Sequence, residues 1–427
     1  METSLANVMA TLCLFAALVH SLSVRMIERL ARRFQHRAAF SAFLHFAAEI
    51  EVVFGLWAAI YVAFLMVHEG FHPAVDWLDQ RNFSEAIFIF VIMAMAATRP
   101  ILELAERCID RLARLLPLPK TFARYLMILI VGPLLGSLIT EPAAMTLSAL
   151  LLKREIFDRS KDSRLLYSTV AVLFVNVSIG GVLTPFAAPP VLMVARTWNW
   201  DLAHMFTHFG WKAVVAVVIN SILALLFNRS ALSLQERTSL DDNSSVQESR
   251  ASSAIWIKGV HLAFLTLAIL TAHHPAFLVG AFLFFIGFTH VTRFAQSELK
   301  IQESLLVAFF LGGLIVLTAQ QGWWLQPLLT SAKDFVLFAG ATLLTAITDN
   351  AALTSLAARV HDLSEASKYA VVAGAVSGGG LTLIANAPNP AGYAILRENF
   401  EDGLQPLRFL GYAIIPTLIA GGMLWIR

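Results

Sequence analysis

The sequence predicts an all-α polytopic membrane protein made of two inverted-topology repeats, each with five membrane crossings, one re-entrant hairpin and one interrupted helix. Three observations carry this. Of 427 residues, 58% are apolar and 14% charged, with a mean hydropathy of +0.70, well outside the soluble globular range. Apolar runs recur that are long enough to cross a hydrocarbon core of ~30 Å as helices. Two similar polar interruptions lie 208 positions apart, Ile139-Thr140-Glu141-Pro142-Ala143-Ala144-Met145-Thr146 and Ile347-Thr348-Asp349-Asn350-Ala351-Ala352-Leu353-Thr354. Backbone polar groups in lipid must be satisfied within the chain, so only helices or a closed barrel can span. Continuous rather than alternating apolar runs exclude the barrel.

The first repeat is expected over residues 1–228. Its first span, about 6–24, lacks the basic lead of a cleavable signal and is expected to be retained. A basic loop, Arg25 to Arg37, follows. Span two, about 38–67, carries Glu49 and Glu51 inside it, and an acidic loop leads to span three at about 84–103. The segment 122–155 has arms at 122–136 and 142–152 that would be ~22 and ~16 Å long as helices, too short to cross alone. Basic residues flank both of its ends, so it is predicted to be a re-entrant hairpin. The next crossing, 165–195, is interrupted where Gly180-Gly181 and Thr184-Pro185 through Pro189-Pro190 cannot stay regularly helical. A rim of Trp198, Trp200 and Trp211 marks an interface, and span six covers about 213–228. Residues 229–254, rich in Ser and charge, are the expected cytoplasmic linker.

The second repeat, 255–427, follows the same order: spans near 255–272, 276–292 and 302–319, a hairpin at 333–360, an interrupted helix at 368–396, and a last span near 408–426. Gly180-Gly181 and Gly379-Gly380, like Ala188-Pro189 and Ala387-Pro388, share one offset of 199. Five crossings per half make the second half enter from the opposite face. This topology puts 24 of the 31 Lys and Arg residues on the cytoplasmic side and 7 outside. Both termini are then external, with the first hairpin opening to the cytoplasm and the second to the exterior. Paired interrupted segments in inverted repeats point to a midplane substrate site. Cys13 and Cys108 are expected in different environments, without a disulfide.

The candidate site residues follow from the interruptions. Glu141 and Asp349 are carboxylates at membrane depth, costly unless they face protein, water or an ion; the alternative role is capping a short helical arm. An acid that holds either a proton or a cation, but not both, is the minimal device for exchange, and Asp349 is the stronger expectation for that role. Sodium wants oxygen ligands, which Thr140, Thr348, Asn350, Asn386, Asn389 and Asn176 can supply; helix back-bonding by Thr and satisfaction of broken backbone by Asn are the competing roles. Glu49 and Glu51 face different directions on a helix. They read either as a proton relay or as a structural ion pair with a base such as His45 or Arg99.

At these motifs the chain resembles the ion-transporter superfamily, and most closely its sodium/proton antiporter family. The residues carrying the resemblance are Glu49-Ile50-Glu51-Val52-Val53-Phe54-Gly55, Ala97-Thr98-Arg99-Pro100, the Thr-Glu-Pro and Thr-Asp-Asn tips, and Ala385-Asn386-Ala387-Pro388-Asn389-Pro390. The resemblance implies inverted repeats with re-entrant hairpins and unwound helices, commonly in a homodimer with elevator-like motion. The dicarboxylate carriers of that superfamily have Ser-Asn-Thr at the tips; acids there would repel an anionic substrate.

The expected function is therefore exchange of Na⁺, or another monovalent cation, for H⁺ in the inner (plasma) membrane. The alternative within transport is a sodium-coupled anion symporter. An intramembrane enzyme is the remote alternative, and neither a Gly-Xaa-Gly-Asp pattern nor a His-Glu-Xaa-Xaa-His motif is present. The expected partners are the lipid bilayer and the transported cations, with no cofactor, no resident metal and no nucleic acid.

Overall fold

A computed structural model describes residues 4–34, 36–241, 253–272, 274–295, 298–400 and 403–426, and these residues contain helices and no strand. Six helices are long and apolar enough to cross a membrane, or up to eight if two bent pairs each count as one span.

The chain opens with α1 (Leu5–Arg33), α2 (Ala38–Ala47), α3 (Ile50–His68), α4 (Phe71–Asp79), α5 (Ser84–Ala96) and α6 (Arg99–Arg114). Four expectations change here, the first being that the expected acidic loop holds α4. The basic segment after the first span is helical as far as Arg33, because Val24 to Arg33 contains neither Gly nor Pro to stop it. The second span breaks before α3, where Glu49 takes an extended conformation at the helix start. The third breaks at Ala97-Thr98, turning by 69°. Pro100 explains that break, since proline is tolerated in the first turn of α6 but not inside a continuous helix.

α7 (Lys120–Ile139) and α8 (Glu141–Glu155) form the first hairpin. Arg124 of α7 pairs with Glu155 of α8 at 3.3 Å, and a Cβ at Gly136 would stand 3.3 Å from that of Ala144. Those pairs bracket Thr140 almost evenly, as an antiparallel turn there requires. At 20 residues, ~30 Å, α7 is longer than the expected arm and is itself one of the six spanning-length helices.

α9 (Ser163–Gly180) is the most enclosed of the six: every residue of its apolar window is buried, against 28% for α1. A short 3₁₀ turn, Gly181–Leu183, and an irregular stretch separate it from α10 (Pro189–Ala195). Then come α11 (Leu202–Met205), a π-helical turn Phe206–Gly210, and α12 (Trp211–Phe227). The expected linker begins as a helix, α13 (Arg229–Asp241); residues 242–252 lie outside the described ones.

The second half contains α14 (Ile255–Leu270), α15 (Pro275–Val291), α16 (Ile301–Thr318), α17 (Gly322–Ser331), α18 (Asp334–Thr345), α19 (Asn350–Ala357), α20 (Glu365–Gly378), α21 (Pro388–Leu396) and α22 (Pro406–Trp425). α14 and α15 are apolar but 16 and 17 residues long, and α17 is an element the sequence pattern did not suggest.

Both halves repeat one packing relation. α7 runs parallel to α9 in a fixed register: Asn176 donates to Leu129 O at 2.9 Å, Ser137 to Gly180 O at 2.7 Å, and Thr184 to Ser137 O at 2.7 Å. α18 runs parallel to α20 in the same way, with Thr342 donating to Gly374 O at 3.1 Å and Thr382 to Ala346 O at 2.8 Å. In each half the hairpin's first arm thus delivers its tip to the break in the interrupted span. The second arms exchange partners, α8 packing on α21 and α19 on α10.

Candidate functional site

The two breaks meet each other. Ser178, near the end of α9, donates to Val376 O in α20 at 2.7 Å, so the interrupted spans cross where their helices stop. Both tips arrive at this crossing.

Glu141 is fully buried. Its Oε2 accepts from Asn386 Nδ2 at 2.8 Å, a residue 245 positions away in the other half's unwound stretch, while Oε1 has no hydrogen-bond partner. Gly181 lies directly behind it, where a Cβ would stand 2.5 Å from Oε1. Thr140 turns the chain with φ 73°, a conformation β-branched residues avoid and that costs about 1–3 kcal/mol. Its buried Oγ1 is also unpartnered.

Asp349 behaves differently. Its Oδ1 accepts from the backbone N–H groups of Ala351 (2.7 Å) and Ala352 (3.3 Å), so it caps α19. Asn350 beside it is fully buried, its backbone N–H donates to Ala385 O at 3.1 Å, and neither side-chain atom is bonded. Asn350 sits against Gly379, whose replacement by any larger residue would collide with Ser178 Oγ and stand 2.9 Å from Asn350 Nδ2.

Asn389 donates to Gly379 O (2.8 Å) and Thr382 O (2.9 Å), closing the carbonyls of the unwound stretch, and leaves Oδ1 unbonded. Thr140 Oγ1, Glu141 Oε1, Asn350 Oδ1, Asn386 Oδ1 and Asn389 Oδ1 are therefore five buried oxygens without partners at one crossing. An unsatisfied buried polar atom costs about 1–3 kcal/mol, and a bound cation removes that cost for several at once.

Other expected residues are placed elsewhere or occupied. Thr348 donates to Leu344 O at 2.9 Å, the back-bonding role. Asn176 is committed to scaffold: Pro133 in α7 has no N–H, which frees Leu129 O four residues earlier, and Asn176 and Ser221 both donate to it, at 2.9 and 3.1 Å. The Asn176 oxygen accepts from Asn220 at 3.0 Å. Glu49 is exposed at the α2–α3 break rather than inside a span, and the side chain of Glu51 lies outside the described residues. Arg99 pairs with Glu103 at 2.8 Å, and buried Lys258 with the same acid at 2.7 Å. His45 is exposed.

Ser137 is a residue that sequence reasoning missed. It donates to Gly180 O and accepts from Leu183 N–H at 2.9 Å, stitching the first arm to the break. Its spacing of four before Glu141 was the only signal, and a lone serine in an apolar helix carries little.

The sequence model of the family described as "Putative Na+/H+ antiporter" matches residues 5–427. No curated protein matches the chain. The solved structure of the Alcanivorax borkumensis YdaH transporter is similar over 88% of this chain and 96% of that one, at 14% identity and a TM-score of 0.45.

Proposed function

Since the chain belongs to the "Putative Na+/H+ antiporter" family over nearly its whole length, we propose that it exchanges Na⁺, or another small monovalent cation, for H⁺ at the crossing of the two interrupted spans. The observation that carries this reading is Glu141: a fully buried carboxylate with one oxygen on Asn386 and the other unbonded, among four further unpartnered oxygens. A proton on Glu141 leaves the crossing neutral at that position. Loss of the proton leaves one negative charge and a set of neutral oxygen donors, which matches a single hard monovalent cation. The two occupants compete for one carboxylate, and that competition couples their fluxes.

Asn386 serves both states. Its amide N–H supports the ionised carboxylate, and its Oδ1 is available either to the cation or, after the amide turns, to the protonated acid. Asp349, engaged in capping, holds the start of α19 rather than competing for the same proton. This reverses the expectation that Asp349 is the exchanged acid.

The inverted topology, with one hairpin entering from each face, supplies the access in this reading: each tip closes one side of a shared midplane site. An inner-membrane location with both termini external belongs to the same proposal. The test is sodium-dependent dequenching of a pH dye in everted vesicles, across Na⁺, Li⁺, K⁺ and Ca²⁺ over a pH series. Full exchange by a correctly inserted Glu141→Gln protein would sink the assignment.

A further inference from the structure

Helix α13 reaches both feet of the first hairpin with consecutive residues. The Glu236 carboxylate accepts from the Thr121 N–H at 2.8 Å, at the start of α7. Gln235 Nε2 donates to the Ile156 carbonyl at 3.0 Å, at the end of α8. The first groups of one arm and the last of the other are those a helix leaves unsatisfied, and an acid at an N-terminus and a donor at a C-terminus are the complementary partners. Leu232, one turn earlier, is fully buried and anchors α13 to the main core.

The second hairpin has a different arrangement. Its second arm is followed by His361, which Gln326 of α17 grips through both backbone groups, at 2.7 and 2.8 Å. The start of its first arm is tied to α20 instead, through Ser367 donating to Asp334 at 2.8 Å. A single element bridging both feet is therefore a feature of the first hairpin.

We propose that α13 is a brace that fixes the spacing of α7 and α8 and thereby the position of the tip carrying Glu141, with Gln235 and Glu236 as positioning residues. The inference rests on the reading of that tip as the ion site only for its consequence; the brace itself is testable without transport. Either bond alone would be an ordinary helix cap. Two bonds from adjacent residues to opposite ends of one hairpin make α13 the strap across its open end. An arm can then slide or splay only when one of the two bonds breaks.

The experiment uses the full chain in vesicles with Cys108→Ser, which removes the exposed thiol and leaves buried Cys13 as a control. Ser148→Cys places a probe on α8 at a fully buried position facing α7. The expected result is slow maleimide labelling of that cysteine in the parent and roughly tenfold faster labelling in Gln235→Ala/Glu236→Ala, with Cys13 unchanged, the factor that two lost caps would permit. Glu236→Gln, which keeps an acceptor oxygen, should label like the parent. Parental labelling in the double alanine variant overturns the brace. So does equal acceleration at Cys13, which reports global loosening, and so does Glu236→Gln labelling as fast as the double alanine variant. Parental labelling overturns the brace whatever happens to exchange, whereas the ion-site reading fails only if Glu141→Gln exchanges fully, so the two failures are told apart.

Discussion

At the first tip the backbone turns through Thr140 with φ 73°, and Glu141 extends into the crossing as the first residue of α8. At the second, the backbone at Asp349 is extended and its carboxylate folds back onto the first turn of α19. The same sequence position therefore holds a carboxylate turned into the crossing in one half and a capping acid in the other. Two local differences account for this. Aspartate is one methylene shorter, which suits it to the N–H groups two and three residues on. At the start of α8, Thr140 rather than Glu141 occupies the cap position. Near-identity of motif did not mean identity of duty. The neighbour across the crossing completes the contrast: Asn386 answers Glu141, whereas the offset of 199 puts Ala187 at the matching place in the first half.

The strongest way to break this comparison is to neutralise each acid. Glu141→Gln should abolish exchange, a loss of at least about 100-fold if the carboxylate is the sole exchanging group. Asp349→Asn should retain measurable exchange, because asparagine caps about as well as aspartate. Equal loss in the two variants, measured as dye dequenching per inserted molecule, would erase the distinction.

Gly181→Ala tests the fit behind Glu141. Its Cβ would stand 2.5 Å from Oε1 and 3.0 Å from the carboxylate carbon, so the acid must move, and overpacking of this kind costs about 1–3 kcal/mol. Exchange should fall by roughly tenfold or more, with a parallel fall in thermal unfolding midpoint. Unchanged exchange would show that Glu141 does not work from this position.

Asn386→Ala removes the partner of Glu141 and should weaken apparent cation affinity by about tenfold, the value of a hydrogen bond to a charged group. Asn176→Ala provides the contrast: it should lower stability by about 1–3 kcal/mol through its lost bonds to Leu129 O and Asn220 while leaving cation affinity in the folded fraction unchanged. The smallest effect is expected for Glu49→Ala. Its side chain is exposed at a helix start, where an acid is worth about 0.3–1 kcal/mol, and exchange per molecule should stay within about twofold of the parent. A larger loss would restore the relay reading.

Much of the architecture was legible in the chain. The apolar runs announced membrane helices because lipid leaves no other way to satisfy the backbone. The Gly-Gly and Pro-rich stretches located both breaks, because those residues cannot sustain a helix wherever they are buried. The two short motifs located the hairpin tips. These features depend on residues within a turn or two of each other, and local sterics decide them. The break at Thr98 is equally local, although span three was expected to run through it; α7 continues past the expected arm because the carbonyl that Pro133 frees finds partners on α9 and α12.

What the sequence alone determined was the class of protein, most of the helices and the breaks at the paired motifs, though not those at Glu49 and Thr98. Tertiary structure decided which of two similar acids stands free. It brought Asn386 to Glu141 across 245 residues, committed Asn176 to a carbonyl that Pro133 had released, and left the side chain of Asn350 buried without a bond. Those outcomes depend on which segments cross, and crossings are set by packing between distant helices, which no local pattern encodes.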